Sequence, residues 1–272
     1  YWSVVKNGMD DAAKTLGVKA EYLAPETFDM AKMAQMIDAA AASKPDGLVV
    51  SIADPAALSE PVKNAVAAGI PVIVIDSGGG KLTKELGGLL YLGQSEYEAG
   101  VMAGERIKKL NVTKAVCANH EVGNVSLDDR CAGFAKGLGV DVPVLNGVMD
   151  PTEMKNRIIA HLKTNADTQF ILTVGIGGAE PGLMALDELG LTGKVKIGTF
   201  DLSPTILQAT ADGKMEWGID AQQYAMGYIP VVMFDLWKKY KIAPIADYPT
   251  GPGFVTGETA ASVIELAKQG KR

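Results

Sequence analysis

IVIDS (residues 73–77) and IGTFDL (residues 197–202) are two short apolar runs, and each delivers an aspartate, Asp76 in the first and Asp201 in the second. The same succession precedes both. Val18 opens a strand, the Met30–Ala42 segment carries Met33, Met36, Ile37 and Ala40 at helical spacing, Gly47 begins a second strand, another helix follows, and Val72 leads to Asp76. In the second half Val140 opens a strand, and helix, strand and helix lead through Val195 to Asp201 at nearly the same distance along the chain. Segments 48–52, 72–75, 115–117, 170–174 and 195–200 are apolar without clean alternation, the pattern of strands covered on both faces in parallel sheets. Alternating strands and helices of this kind predict an α/β fold of two similar doubly wound lobes with parallel sheets. Ligands of such sheets bind beyond the carboxyl ends of the strands. The repeat therefore aims Asp76 and Asp201 at one cleft between the lobes. The opening residues Tyr1-Trp2-Ser3-Val4-Val5 already read as the first turn of a helix through Leu16. A doubly wound lobe needs a strand before that helix, so the first strand is expected to precede Tyr1.

Composition narrows the function. Hydrophobic residues make up 47% and charged residues 21% of the 272, as in a compact folded protein. A formal net charge of −6 leaves no basic surface to neutralise phosphates, which argues against a nucleic-acid partner. The apolar runs are too short to span a bilayer, and no signal peptide falls within this numbering. The two cysteines, Cys117 and Cys131, are open to two readings: a disulfide closing a short loop, or two small buried thiols.

Catalytic and metal motifs are absent. Gly93-Gln94-Ser95-Glu96-Tyr97 lacks the last glycine of a nucleophile elbow, and Gly78-Gly79-Gly80-Lys81-Leu82 lacks the first glycine and the hydroxyl of a phosphate loop. His120-Glu121 has no second histidine to complete a zinc motif. No cofactor, metal or catalytic residue is assigned. A glycosidase-like use of paired carboxylates would need one of them held protonated, and nothing marks either aspartate that way.

The stretches YWSVVKNGMDDAAKTLGV, KPDGLVVSIADPAAL, AGIPVIVIDSG, YLGQSEYEAGVMAGERI, DDRCAGF, IGTFDLSPTILQATADGKMEWGID and AMGYIPV, in this order and spacing, resemble the type I periplasmic sugar-binding proteins of ABC transporters. The resemblance covers essentially the whole chain. It implies an export signal, periplasmic location, two lobes joined by a three-crossover hinge, and closure over a sugar. By this likeness residues 1–94 with 223–250 form the N-terminal lobe, and 95–222 with 251–272 the C-terminal lobe. Gln94 and Ser95 lie at the first crossover. The implied partners are a small sugar or polyol and a membrane permease, the protein itself acting as a monomer. The export implied by the family favours the disulfide.

The resemblance also implies a pocket. Tyr1 and Trp2 match an aromatic pair that packs on a sugar ring, although they could merely plug the lobe core. Asp76 and Asp201 match the strand-end acids that accept hydroxyl hydrogen bonds, although Asp201 could instead cap the helix near Pro204 and Asp76 serve the turn at Gly78. Asn124 and Arg130 lie on the rim loop and the helix after it. Asp128 stands where many members carry Arg, and Ser77 replaces another frequent Arg. Gly177, in the 175–178 loop, stands near a missing Asn, and Gln222 adjoins Ala221, which replaces a common Gln. With two arginines lost, an anionic sugar acid has nothing to neutralise it. The expectation is a neutral sugar or sugar alcohol, with an amino sugar or an autoinducer-2-type ligand as variants. The rival reading is the ligand-sensing core of a sugar-responsive repressor, which would require a DNA-reading headpiece.

Overall fold

The computed structural model describes residues 1–272 as two compact units. The first comprises Tyr1–Gln94, Gln222–Thr250 and Lys271, and the second Ser95–Ala221, Gly251–Gly270 and Arg272. Gln222 and Lys271 thus fall in the first unit rather than the second. Gln222 takes a left-handed backbone (φ 55°) and its carbonyl accepts from the Ala225 and Met226 amides, which ties it to the helix it precedes. The Lys271 ammonium pairs with Asp11.

In the first unit, α1 (Trp2–Leu16) ends at Gly17, whose φ of 68° is the left-handed stop that glycine supplies without strain. Helix α2 (Met30–Ala42) starts at Asp29, which accepts from the Lys32 amide at 2.9 Å. Strands β1 (Leu48–Val50), β2 (Val72–Ile75) and β3 (Leu90–Gly93) alternate with helices α3 (Pro55–Ala67) and α4 (Gly79–Glu85). A fourth strand, β9 (Tyr248–Pro249), comes much later in the chain and is reached through α10 (Gln223–Tyr240). The four strands form a parallel sheet in the order β1-β2-β3-β9. All four residues of β2 are buried, as a strand covered on both faces requires.

The second unit opens with α5 (Glu96–Lys108) and continues β4 (Ala115–Asn119), α6 (Val125–Leu138), β5 (Val144–Asn146), α7 (Pro151–Thr164), β6 (Phe170–Thr173), α8 (Ile176–Glu188), β7 (Lys196–Phe200), α9 (Pro204–Ala211) and β8 (Trp217–Asp220). After the excursion through the first unit come β10 (Gly253–Thr256) and α11 (Gly257–Lys268). The sheet order is β10-β8-β7-β6-β4-β5, parallel except for β10 against β8. Side chains alternate across it: Phe170 and Leu172 join Phe134 and Trp217 on one face, and Ile171 joins Met154, Ile158 and Ile197 on the other. Helices α3, α7 and α9 begin alike, with Asp54, Asp150 or Ser203 as cap and a proline at the first helical position. Cys117 of β4 and Cys131 of α6 form a disulfide, with their Cα atoms 5.8 Å apart.

One expected strand is absent and another starts late. Residues 18–24 form no strand, and β1 stands at the edge of its sheet, paired only with β2. The strand expected at Val140 begins only at Val144. Pro143 lacks an N–H for a ladder, and Val142 is instead buried in the core as loop.

Helices α5 and α6 touch backbone to backbone through glycines. A Cβ on Gly133 would collide with the Tyr97 carbonyl, and one on Gly137 with that of Val101. Alanine is the better helix former by about 1 kcal/mol, yet Gly133→Ala and Gly137→Ala should each destabilise by about 1–3 kcal/mol through overpacking. Urea denaturation measures this. Gly253→Ala, whose added carbon meets nothing closer than 3.4 Å, serves as the control and should change the midpoint little.

Candidate functional site

Asp76 and Asp201 each follow the last residue of a parallel strand, β2 and β7, and both take a left-handed backbone, with φ of 61° and 67°. That region is uncommon for residues other than glycine, although aspartate tolerates it better than most. Neither residue caps a helix. Ser203 caps α9 by accepting from the Ile206 amide, and α4 starts at Gly78 with no side-chain cap. The capping alternative for Asp201 is thereby removed, while Asp76 also takes part in the turn after β2, accepting from the Ser77 hydroxyl.

In the first unit, three hydroxyls donate to the Asp76 carboxylate. The Tyr1 hydroxyl reaches Oδ1, while Ser51 and Ser77 each reach Oδ2 at 3.0 Å. All three donors are neutral. The Tyr91 hydroxyl lies between the main-chain oxygens of Asp76 and Gln94, which fixes the turn after β2. Trp2 packs edge-on against Tyr1 with ring centroids 5.2 Å apart and remains 40% exposed. Tyr1 is therefore a hydrogen-bonding partner of Asp76, and Trp2 supplies the more open aromatic surface.

The second unit surrounds Asp201 differently. Arg130 is 2% exposed and makes a two-pronged ion pair with Glu96, Nε to Oε2 at 2.6 Å and Nη2 to Oε1 at 3.0 Å. Its Nη1 donates to the Val174 carbonyl at 2.7 Å and lies 3.6 Å from Asp201 Oδ2. The guanidinium also sits over the Phe200 ring, 4.6 Å from its centroid. Asn124 caps α6 through the Ser126 amide and donates to Glu121, while the exposed Asp128 accepts from Asn119 at 2.9 Å. A Cβ on Gly177 would meet the His120 ring at 2.7 Å, so glycine is needed there to admit the imidazole. The expected residues thus fall in two sets, Tyr1, Trp2, Asp76 and Gln222 in one unit, and Asn124, Asp128, Arg130, Gly177 and Asp201 in the other. Gln94 and Ser95 stand where the chain passes from the first unit to the second. Ser51 and Glu96 were not singled out by sequence. Their partners lie 25 and 34 residues away, and no local pattern announces them.

His120 is partly buried, and burial together with the nearby Arg130 charge lowers its pKa from 6.5 to about 4. The unfolded chain takes up this proton at a higher pH than the folded one. Between about 6.5 and 4 the unfolded state therefore binds more protons, and stability falls as the pH falls. His161 is lowered in the same direction by burial. With two histidines in the chain, proton NMR can follow each. His120 should titrate near 4, and His120→Gln should flatten the loss of stability across this interval. A midpoint at the ordinary value with no change in slope would contradict the assignment.

A family model described as periplasmic binding protein domain matches residues 1–238. A crystal structure of a carbohydrate transporter from Acidothermus cellulolyticus 11B, in complex with myo-inositol, is 32% identical with a TM-score of 0.92, covering 100% of this chain and 94% of that one. The xylose/arabinose-binding protein XylF of Sulfolobus acidocaldarius is 27% identical over 92% of this chain and 66% of its own length. The fructose import binding protein FruE of Bifidobacterium longum is 25% identical over 79% of this chain and 68% of its own length. The chain thus spans about two thirds of the length of these curated relatives. The extent of the family match and the likeness in fold together establish that this chain belongs to the periplasmic binding protein family, a family of solute-binding proteins.

Proposed function

We propose that this chain captures a small neutral sugar or polyol and presents it to an ABC transporter permease from the periplasm. Asp76 in the first unit and Asp201 in the second act as the principal hydrogen-bond acceptors. The observation that carries this reading is their shared placement, each immediately beyond a parallel strand in a left-handed conformation that capping does not explain. Strain of this kind persists where surrounding structure holds it, and it clusters at ligand sites.

Charge supports a neutral ligand. Asp76 is met by three hydroxyls, and the single Arg130 is shared between Glu96 and Asp201. A carboxylate or phosphate would arrive without a counter-charge, whereas hydroxyls would donate to acceptors already in place. The surplus of carboxylates favours an amino sugar as the second reading. The myo-inositol in the Acidothermus cellulolyticus protein and the pentoses named for the Sulfolobus acidocaldarius relative supply the first compounds to try. No helix is long and apolar enough to cross a membrane.

A thermal-shift series with myo-inositol, xylose, arabinose, fructose, glucosamine and glucuronate tests the proposal, since a ligand that binds only the folded state raises the melting temperature. A neutral compound should give the shift, and Asp76→Ala and Asp201→Ala should each abolish it. A shift with glucuronate alone, or undiminished shifts in both variants, would overturn the reading. A shift with glucosamine alone would select the second reading.

A further inference from the structure

We propose that Glu96 and Arg130 are positioning residues for solute capture, a buried ion pair that holds Asp201 and the turn after Val174 in their binding geometry. The inference rests on the reading that Asp201 meets the ligand. It deepens that reading by assigning a task to two residues that need not touch the solute.

Stability alone is a poor reason for such a pair. Arg130 is 2% and Glu96 7% exposed, and two charges so removed from water often do no better than apolar side chains of the same size. The arrangement of the guanidinium supplies another reason. Glu96 engages one edge through Nε and Nη2. Because the group is planar, fixing that edge also fixes the direction of Nη1. Nη1 then reaches the Val174 carbonyl, immediately before Gly175, and faces Asp201 Oδ2. The ring of Phe200, the residue before Asp201, lies under the same plane. One rigid group therefore contacts the end of β7, the aspartate that follows it and the start of the glycine-rich turn.

The separation from Asp201 matters as well. At 3.6 Å the contact is an ion pair rather than a hydrogen bond. It attracts the carboxylate to one place. Asp201 needs such support because its backbone, at φ 67°, occupies a region that few residues adopt unaided. A lysine could supply the charge but not the two-pronged geometry.

The experiment compares the full chain with the Glu96→Leu/Arg130→Met variant, using myo-inositol and xylose as calorimetric probes and urea denaturation for stability. The inference expects the apolar pair to leave the protein folded and of similar stability, while binding weakens by about 10-fold or more. It also expects Asp201→Asn to cost much less in the apolar background than in the parent, the non-additivity of residues acting through one another. Arg130→Lys, which keeps the charge, provides a milder change in case the double variant does not fold, and Glu96→Gln, which leaves the buried Arg130 without its carboxylate, should also lower the urea midpoint; both should weaken binding when measured on the folded protein. Unchanged affinity in a folded Leu/Met variant, or in both single variants, would overturn the inference and leave a purely structural pair. Failure of the parent protein to bind any compound of the thermal-shift series would instead count against the solute-binding reading beneath it, and the inference would fall with it.

Discussion

A strand of a parallel sheet that is covered by helices on both faces can offer polar chemistry only beyond its ends. In β2 every side chain is buried, and in β7 all but the first are. At the carboxyl end of each strand the first position that presents a charge is the residue that follows it, Asp76 or Asp201. The surrounding features serve that placement. Serines and a tyrosine meet one carboxylate, and an arginine paired with Glu96 stands beside the other.

The two carboxylates are held by different means. Hydroxyls on Asp76 are neutral and can rotate, so they orient the group without cancelling its charge. Arg130 acts on Asp201 through charge at slightly longer range, with its own direction set by Glu96. Both arrangements suit a partner that donates hydrogen bonds, since the Asp76 donors are neutral and the one guanidinium beside Asp201 is shared with Glu96. The glycines of the 175–178 turn have a separate role, since the His120 ring occupies the space that side chains at 175 and 177 would need.

Much of this was legible in sequence because it depends on periodicity and on strand ends. The repeated succession ending at Asp76 and Asp201 predicted parallel sheets, and Met30–Ala42 was readable as a helix. The strand expected at Val18 is missing and the one expected at Val140 is displaced, because a strand is a relation between segments. Residue types that favour strands do not reveal whether a partner is present. The same limit applies to side chains. Arg130 could be recognised as a candidate, but its commitment to Glu96 and Val174 depends on contacts across tens of residues. The pairing of Cys117 with Cys131 was likewise left open by spacing and is settled by the positions of β4 and α6.

The most direct measurement is a crystal structure with the neutral sugar or polyol that gives the largest thermal shift. The account predicts ligand hydroxyls within hydrogen-bonding distance of the carboxylate oxygens of both Asp76 and Asp201, with Arg130 still paired to Glu96. A ligand bound elsewhere, touching neither aspartate, would contradict it.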